Sequence, residues 1–334
     1  MNDTLDRAAV AFAPSPTHPC EPWFLRWSLL NGPEIAALDP EKTVVVLTCS
    51  PLEVHGPHLP TITDIIEGEG LLWASLRKVH AQRPELTFVT LPALWLATDV
   101  LPQTGSINCR PSTVRRALLD VGRSLAKQGF KHIWVSNFHG GPRHFVAIEV
   151  ACNQVNRRYG AQMISIFSLL LSRLTRDGGK DLDHVLGSID GVDHELLVGD
   201  QHGGFLETSM MLHLIRSHVA PHTHLPQKTL DRWAQEEGRK PASPKTPFRL
   251  FAHSQKYYEA NTWAGAPGAA TAELGEKFID RLSDLTTEAL VQLREGKLDA
   301  TAARSPLWKM RHVLMFEPAA NVFSAIIGAK TQVF

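Results

Sequence analysis

Between residues 42 and 167 the sequence alternates runs typical of buried strands with amphipathic segments typical of helices. The strand-type runs are residues 42–48, 86–91, 132–136 and 163–167. The helical segments are residues 65–81, a stretch that begins near Ser112, and residues 144–157. Such alternation implies parallel strands joined by helical crossovers that cover both faces of the sheet. We therefore predict an α/β fold with three α/β/α layers and a mainly parallel central sheet.

The periodic signal weakens after residue 170. Residues 206–218 and 273–295 are predicted helices, whereas residues 220–270 are rich in proline and are predicted to be mostly loop. The sequence has no internal repeat and no long linker. We expect a flexible leader over residues 1–22 and a single domain over residues 23–334.

The balance of charge argues against some classes of partner. Lysine plus arginine and aspartate plus glutamate both number 34. A neutral chain gives no electrostatic reason to expect nucleic acid or an anionic membrane as a partner. No apolar run approaches the ~18 residues of a membrane span. The four cysteines form no C-x-x-C pair, so we expect reduced thiols in a cytoplasmic protein that acts on a small molecule.

Two polar segments follow predicted strands, at the edge where parallel sheets bind ligands. Glu53, His55 and Asp64 follow the first strand, and His139 follows the third. Acidic and imidazole groups packed this densely are costly to desolvate without a partner. A divalent cation such as Zn²⁺, Mn²⁺ or Fe²⁺ is the economical partner, and the two oxygens of Asp64 could bridge two ions.

A third segment adds a histidine and a glutamate. His202 and Glu207 lie five residues apart across Gly203 and Gly204, where a helix is predicted to begin. Taken alone, this segment is equally well interpreted as a solvated loop followed by a helix cap. The two glycines favour the close approach of backbone to a ligand.

In order, the three segments resemble the signatures of the creatininase (creatinine amidohydrolase) family. Residues 53–64 match E-x-H-G-x-H-L-P-x-x-T-D at every diagnostic position. Residues 137–142 are similar to N-G-H-G-G-N, and residues 202–209 are similar to H-x-G-x-x-E-T-S. The resemblance covers roughly residues 42–295.

The resemblance implies a centre with two divalent ions. The ligands it implies are Glu53 and His139 for one ion, His55 for the other, and Asp64 as the bridge. His202 would contact the substrate and shuttle a proton. Glu207 would be either a ligand of the second ion or the group that orients His202 or the water. We expect Gly140, Gly141, Gln201 and His202 to line the substrate site, with the N–H of Gly203 as a further donor.

The chain also departs from the pattern. Creatininase has a glutamate ligand where this chain has Gly141, so Glu207 or water must replace that ligand. Pro142 and Phe138 stand in place of the asparagine and the glycine of the second motif. Residues 191–201 lack the tryptophans that enclose creatinine in creatininase. Creatinine is therefore not the expected substrate.

The expected reaction is hydrolysis of a C–N bond in an amide, lactam or formamide by a metal-activated water, with His202 as general acid. Arg143 and Arg110 are weak candidates for a substrate phosphate. Two alternatives stay open: an isomerase or a hydrolase that acts on a C–C or ring bond, and a ligand-binding protein without turnover. The resemblance also implies a homo-oligomer, a hexamer, and the apolar residues 313–316 and 322–327 would be costly to expose.

Overall fold

The computed structural model describes residues 23–176, 182–240 and 246–318; the predicted leader and residues 322–327 lie outside them. The five strands are β1 Phe24–Arg26, β2 Thr43–Thr48, β3 Thr87–Thr90, β4 His132–Ser136 and β5 Gln162–Ser165. They form one parallel sheet in the order β1-β3-β2-β4-β5. The helices are α1 Gly32–Ala36, α2 Thr63–Gln82, α3 Pro111–Lys127, α4 Pro142–Tyr159, α5 Ile166–Arg176, α6 Leu182–Gly187, α7 His194–Leu197, α8 Phe205–Ile215, α9 Leu230–Glu236, α10 Pro247–Ala260, α11 Ala272–Arg294 and α12 Arg311–Leu314.

Strand β2 shows how the sheet divides the core into two apolar layers. Val44 and Val46 pack on one face, against the apolar sides of α2 and α11. Val45 and Leu47 pack on the other face, against α3 and α4. Successive side chains of a strand point to opposite faces, so a continuous apolar run requires helices on both sides. The predicted three-layer α/β/α fold is confirmed.

Two predicted elements differ in the structure. The fourth predicted strand ends at Ser165, and Ile166 already begins α5, whose apolar side chains recur at helical spacing. Residues 220–270, predicted as mostly loop, contain the helices α9 and α10. Their turn-like composition is misleading because Thr229 caps α9 and Pro247 stands in the first turn of α10, where proline costs no hydrogen bond.

The sheet determines where the polar segments meet. In the register of β2 and β4, Thr48 lies opposite Ser136, and each is the last residue of its strand. The segments that follow these strands therefore leave the sheet at the same edge. Within the described ranges, none of the helices combines the length and apolar character that a membrane span requires.

Candidate metal centre

The structure brings together the acidic and imidazole side chains that the sequence predicts as ligands. His139 Nδ1 lies 3.0 Å from Glu53 Oε2 and 3.9 Å from Asp64 Oδ1. His55 Nε2 lies 3.4 Å from Asp64 Oδ2 and 3.6 Å from Glu207 Oε2. Helix α2 supplies Asp64 from its first turn, and α8 supplies Glu207 from its own first turn. Asp64 thus lies between the two histidines, with one oxygen toward each.

Backbone carbonyls fix the tautomers of both histidines. His55 Nδ1 lies 3.0 Å from the carbonyl oxygen of Glu53, and His139 Nε2 lies 3.0 Å from that of Thr98. A carbonyl only accepts hydrogen bonds, so these two nitrogens carry the hydrogens. When the rings are neutral, His55 Nε2 and His139 Nδ1 therefore direct lone pairs at carboxylate oxygens.

This arrangement of acceptors requires a cation. Glu53 Oε2, His55 Nε2 and Asp64 Oδ2 are buried and have no hydrogen-bond partner among the described residues. Ligand bonds of ~2.0–2.2 Å to a tetrahedral ion would hold two ligand atoms roughly 3.3–3.6 Å apart, close to the spacing around His55. Two groups of potential ligand atoms each lie within 4.8 Å of one another: Glu53, Asp64 and His139, and His55, Asp64 and Glu207. The donor set therefore has the chemistry of a divalent-metal site, and Asp64 belongs to both groups.

Without metal, protons supply the positive charge of this cluster. Burial opposes ionisation of His55, but the neighbouring carboxylates, Asp64 above all, raise its pKa to about 10. Burial likewise opposes ionisation of His139, but Glu53 raises its pKa to about 9. Burial also disfavours the Glu53 carboxylate, yet His139 lowers its pKa to about 2. At neutral pH both imidazoles hold protons that an incoming metal ion must displace.

Metal affinity is therefore expected to rise with pH. From pH 6 to pH 8 the pH of the solution stays below the pKa values of His55 and His139, about 10 and 9, so both imidazoles are protonated in the absence of metal. Each ion displaces one imidazole proton, so its apparent association constant should increase about tenfold per pH unit. Calorimetric titration with Zn²⁺ in buffers of different ionisation enthalpy counts the released protons. An affinity that stays constant from pH 6 to pH 8 would contradict this expectation.

His202 contacts the same cluster but has a different bonding pattern. Its ring stacks on that of His55, with centroids 4.0 Å apart, and its Nε2 lies 2.8 Å from the carbonyl oxygen of Val54. Burial, assisted by the charge of His55, lowers the pKa of His202 to about 4. A potential ligand atom of His202 also lies within 4.8 Å of those of Glu53 and His55. His202 is thus a neutral imidazole beside the metal ligands, close enough to bind metal or to exchange protons.

The model of the family described as "Creatininase: Creatinine amidohydrolase" matches residues 28–290, most of the chain. The chain belongs to the creatininase family. Membership supports a metal-dependent amidohydrolase in general terms. No curated protein matches the sequence significantly.

Solved structures of creatininases share the fold. A putative creatinine amidohydrolase from Bacteroides fragilis NCTC 9343 is 18% identical, with a TM-score of 0.56 over 81% of this chain and 96% of that one. A mutant creatininase complexed with creatine is 18% identical, with a TM-score of 0.51 over 81% of this chain and 98% of that one. A mutant creatininase of Zn-Zn type is also 18% identical, with a TM-score of 0.51 over 80% and 97% of the two chains. At these identities the likeness is one of fold.

The glycine that replaces the glutamate of creatininase stands where no side chain fits. A Cβ atom on Gly141 would lie 2.4 Å from His139 Nε2 and 2.8 Å from Asp99 Cβ. Asp99 in turn accepts hydrogen bonds from the backbone N–H of Arg143, at 2.6 Å, and from its guanidinium. Asp99, held by its ion pair with Arg143, therefore occupies the space in which a side chain at position 141 would lie. Because Arg143 is already paired, it is a poor candidate for binding a substrate phosphate.

Three predicted substrate-site residues differ in what they offer a ligand. Gly140 and Gln201 are exposed at the edge of the site, and the Gln201 N–H donates to the carbonyl of Ala264 at 2.9 Å. The expectation that the Gly203 N–H is free for substrate is wrong, because it donates to Glu207 Oε2 at 2.6 Å. A carboxylate in the first turn of a helix readily accepts such a bond.

The sequence analysis missed three residues at this site. Asp200 accepts the backbone N–H groups of Phe205 and Leu206, at 2.6 and 2.9 Å, and so caps α8. Tyr258 on α10 meets the His202 ring edge-on, with centroids 5.8 Å apart. Glu67 lies one turn after Asp64, and burial raises its carboxyl pKa well above the usual range. An aspartate just before a predicted helix start is a signal for a cap, whereas Tyr258 had no signal in the sequence.

Proposed function

We propose that the protein holds two divalent ions and cleaves the C–N bond of a small amide, lactam or formamide. The observation that carries this proposal is the position of Asp64 between His139 and His55, with Oδ1 toward His139 Nδ1 and Oδ2 toward His55 Nε2. Zinc, manganese or iron would suit these nitrogen and oxygen ligands. Family membership supports the same reaction class in general terms.

The proposed ligands divide into two sets. Glu53 and His139 would hold the first ion, His55 and Glu207 would hold the second, and Asp64 would serve both. The distance of 3.6 Å between His55 Nε2 and Glu207 Oε2 supports the ligand role of Glu207. In this assignment Glu207 supplies the carboxylate that creatininase would supply from the position of Gly141.

Substituting Glu207 with alanine should remove about one equivalent of metal and leave the first ion bound. The remaining ligands of the second ion, His55 and Asp64, are too few to hold it tightly. Elemental analysis after reconstitution and desalting measures the change, with Glu195→Ala, an exposed glutamate, as the control. Retention of both ions with loss of activity alone would instead make Glu207 an orienting group.

Bound ions of this kind lower the pKa of a water molecule toward 7 and polarise a substrate carbonyl. We assign the proton transfers of the reaction to His202. Because its Nε2–H donates to the Val54 carbonyl, its Nδ1 keeps a lone pair, and its lowered pKa keeps the ring unprotonated at neutral pH. His202 would therefore first accept a proton from the nucleophilic water and then return it to the leaving nitrogen, completing C–N cleavage.

The walls of the site favour an uncharged substrate. Tyr258 contributes an aromatic surface beside His202, from the proline-rich segment of residues 220–270. Arg143 is paired with Asp99 and offers no free cation to an anionic group. We therefore propose a small neutral molecule with a flat amide face, and we retain the expectation that it is not creatinine.

A substrate screen tests the proposed reaction. The metal-loaded protein is incubated with a panel of cyclic amides and formamides, and new amine groups are detected by fluorogenic labelling and mass spectrometry. Appearance of an amine together with a carboxylate would support C–N hydrolysis. A product without a new amine would favour the isomerase or C–C hydrolase, and saturable binding without any turnover would favour the non-catalytic protein.

We also propose that residues 23–334 act as one domain within a hexamer. Val313 and Phe316 are 64% and 57% exposed, as expected of side chains that a subunit contact would cover. Light scattering at micromolar concentration should give about six chains per particle, and Phe316→Asp should reduce that number. Leu29→Asp, at an exposed apolar side chain elsewhere, is the control. A monomeric wild type would contradict the proposal.

A further inference from the structure

A cavity of about 810 Å³ lies between α3, α4 and the segment that contains α12. Five arginines line it and no aspartate or glutamate does: Arg115, Arg157, Arg158, Arg304 and Arg311. None of the ion pairs formed by the described residues includes these five side chains. The volume falls within the ~300–1,000 Å³ of ordinary ligand sites. The cavity therefore concentrates positive charge without an internal counter-charge.

Two of these arginines are held in fixed positions around Trp308. The guanidinium carbons of Arg304 and Arg311 lie 4.6 and 4.5 Å from the centre of the Trp308 ring. Arg304 Nη2 also donates to Asn153 Oδ1 at 2.8 Å, and Arg311 Nη1 donates to the Trp308 carbonyl at 3.0 Å. A guanidinium has five N–H groups in one plane, so these contacts leave other N–H groups for a ligand.

Arg115 adds an independent sign of a missing partner. Its Nε atom is buried and has no hydrogen-bond partner among the described residues. A buried donor without a partner costs free energy that a bound acceptor would recover. Arg157 and Arg158 lie in the last turn of α4, where the helix dipole favours cations, but that explanation does not extend to Arg115.

Three acidic residues lie near the cavity without lining it: Glu149 and Asp299 line an adjoining cavity that shares Arg157 and Arg304, and Glu317 Oε1 accepts the backbone N–H of Ser112 at 3.1 Å. Glu149 and Asp299 are close enough to Arg304 for its charge to act on their pKa values. Glu149 already accepts the backbone N–H of Ser305 at 2.8 Å, and Asp299 accepts that of Thr301 at 2.8 Å. Neither of them lines the cavity.

We infer that this cavity binds a phosphate-bearing small molecule, a function separate from the metal centre. Arginine forks pair with the oxygens of phosphate and of carboxylate alike, and five arginines around one cavity favour the ligand with more oxygens and more negative charge, a phosphate. Arg157 follows Pro142 by 15 residues along α4, or roughly 22 Å of helix from the end nearest His139. The ligand therefore would not share the metal centre, and its binding is independent of the proposed reaction.

Equilibrium dialysis of the metal-loaded protein against radiolabelled inorganic phosphate, at constant ionic strength, tests the inference. The wild type should bind about one equivalent that sulfate displaces and chloride does not. The double variant Arg115→Met/Arg304→Met should bind at least tenfold more weakly. Arg157→Met, at an exposed side chain, tests the cavity without disturbing the core and should also weaken binding, whereas Arg123→Met on the outside of α3 should not.

Three results would overturn the inference. Absence of saturable phosphate binding to the wild type would do so, including the case in which a second copy of the chain closes the cavity. Phosphate binding that is equally tight in the wild type and in both cavity variants would also do so, because the anion would then sit elsewhere, such as at the metal centre. Displacement by chloride as effectively as by sulfate would reveal only a diffuse ionic attraction.

Discussion

Replacing Asp64 with alanine is expected to remove more metal than any other single substitution and to abolish amide hydrolysis. The two oxygens of Asp64 face the two histidines, Oδ1 toward His139 and Oδ2 toward His55. Its loss would leave each ion with two protein ligands, fewer than the three that catalytic zinc sites usually keep. Elemental analysis of the reconstituted variant should find well under one equivalent of metal.

The controls separate metal loss from misfolding. Asp64→Asn keeps the size of the side chain but replaces one potential ligand oxygen with a nitrogen that donates, so it should also lose metal. Asp284→Ala removes an exposed carboxylate that pairs with Lys78 and should keep full occupancy. Thermal unfolding of all variants in excess chelator should give similar midpoints if the fold is intact. Wild-type metal content in Asp64→Ala would contradict the bridging role.

Replacing His202 with alanine is expected to lower kcat by a factor of ~10²–10⁴ while both ions stay bound. In the proposed mechanism His202 carries the proton from the water to the leaving nitrogen, and the ions do not depend on it. Steady-state kinetics and elemental analysis of the same preparation measure the two effects. His213→Ala, at an exposed histidine of the same α8 segment, is the matched control.

Two outcomes would contradict the proposal that His202 transfers protons and does not bind metal. Loss of metal from His202→Ala would make His202 a ligand, which its proximity to Glu53 and His55 permits. Full activity would remove it from proton transfer altogether. The fall in kcat should also depend on the leaving group. It should be smaller for substrates whose leaving amine is weakly basic, because such an amine departs with less help from a proton.

Local apolar patterning was sufficient to predict the sheet. The runs that became β2 and β4 are continuous and apolar, so they could only be buried between two helical layers. β1 escaped prediction because a strand of three residues has too short a pattern to recognise. The helix α10 was not predicted, because a proline such as Pro247 usually indicates a loop. Here it stands in the first turn of the helix.

The candidate ligands could be predicted because they lie in short motifs, but their orientation could not. The tautomer of His139 depends on the carbonyl of Thr98, which lies outside the motifs, and that of His202 depends on the carbonyl of Val54, which lies in a different motif from His202. The packing of Asp99 against Gly141 likewise joins two loops that are distant in sequence. Backbone contacts between segments are set by tertiary structure, so they become visible only when the fold is known. The arginine cavity has the same origin, because Arg115 and Arg304 are separated by most of the chain.

The metal content of the wild-type protein decides whether these residues form a metal centre. The purified protein is stripped with chelator, reconstituted with zinc or manganese, desalted and analysed by inductively coupled plasma mass spectrometry. The proposed sharing of Asp64 by two ions predicts about two equivalents per chain. Well under one equivalent of any transition metal after reconstitution would contradict the metal centre, and with it the proposed hydrolysis.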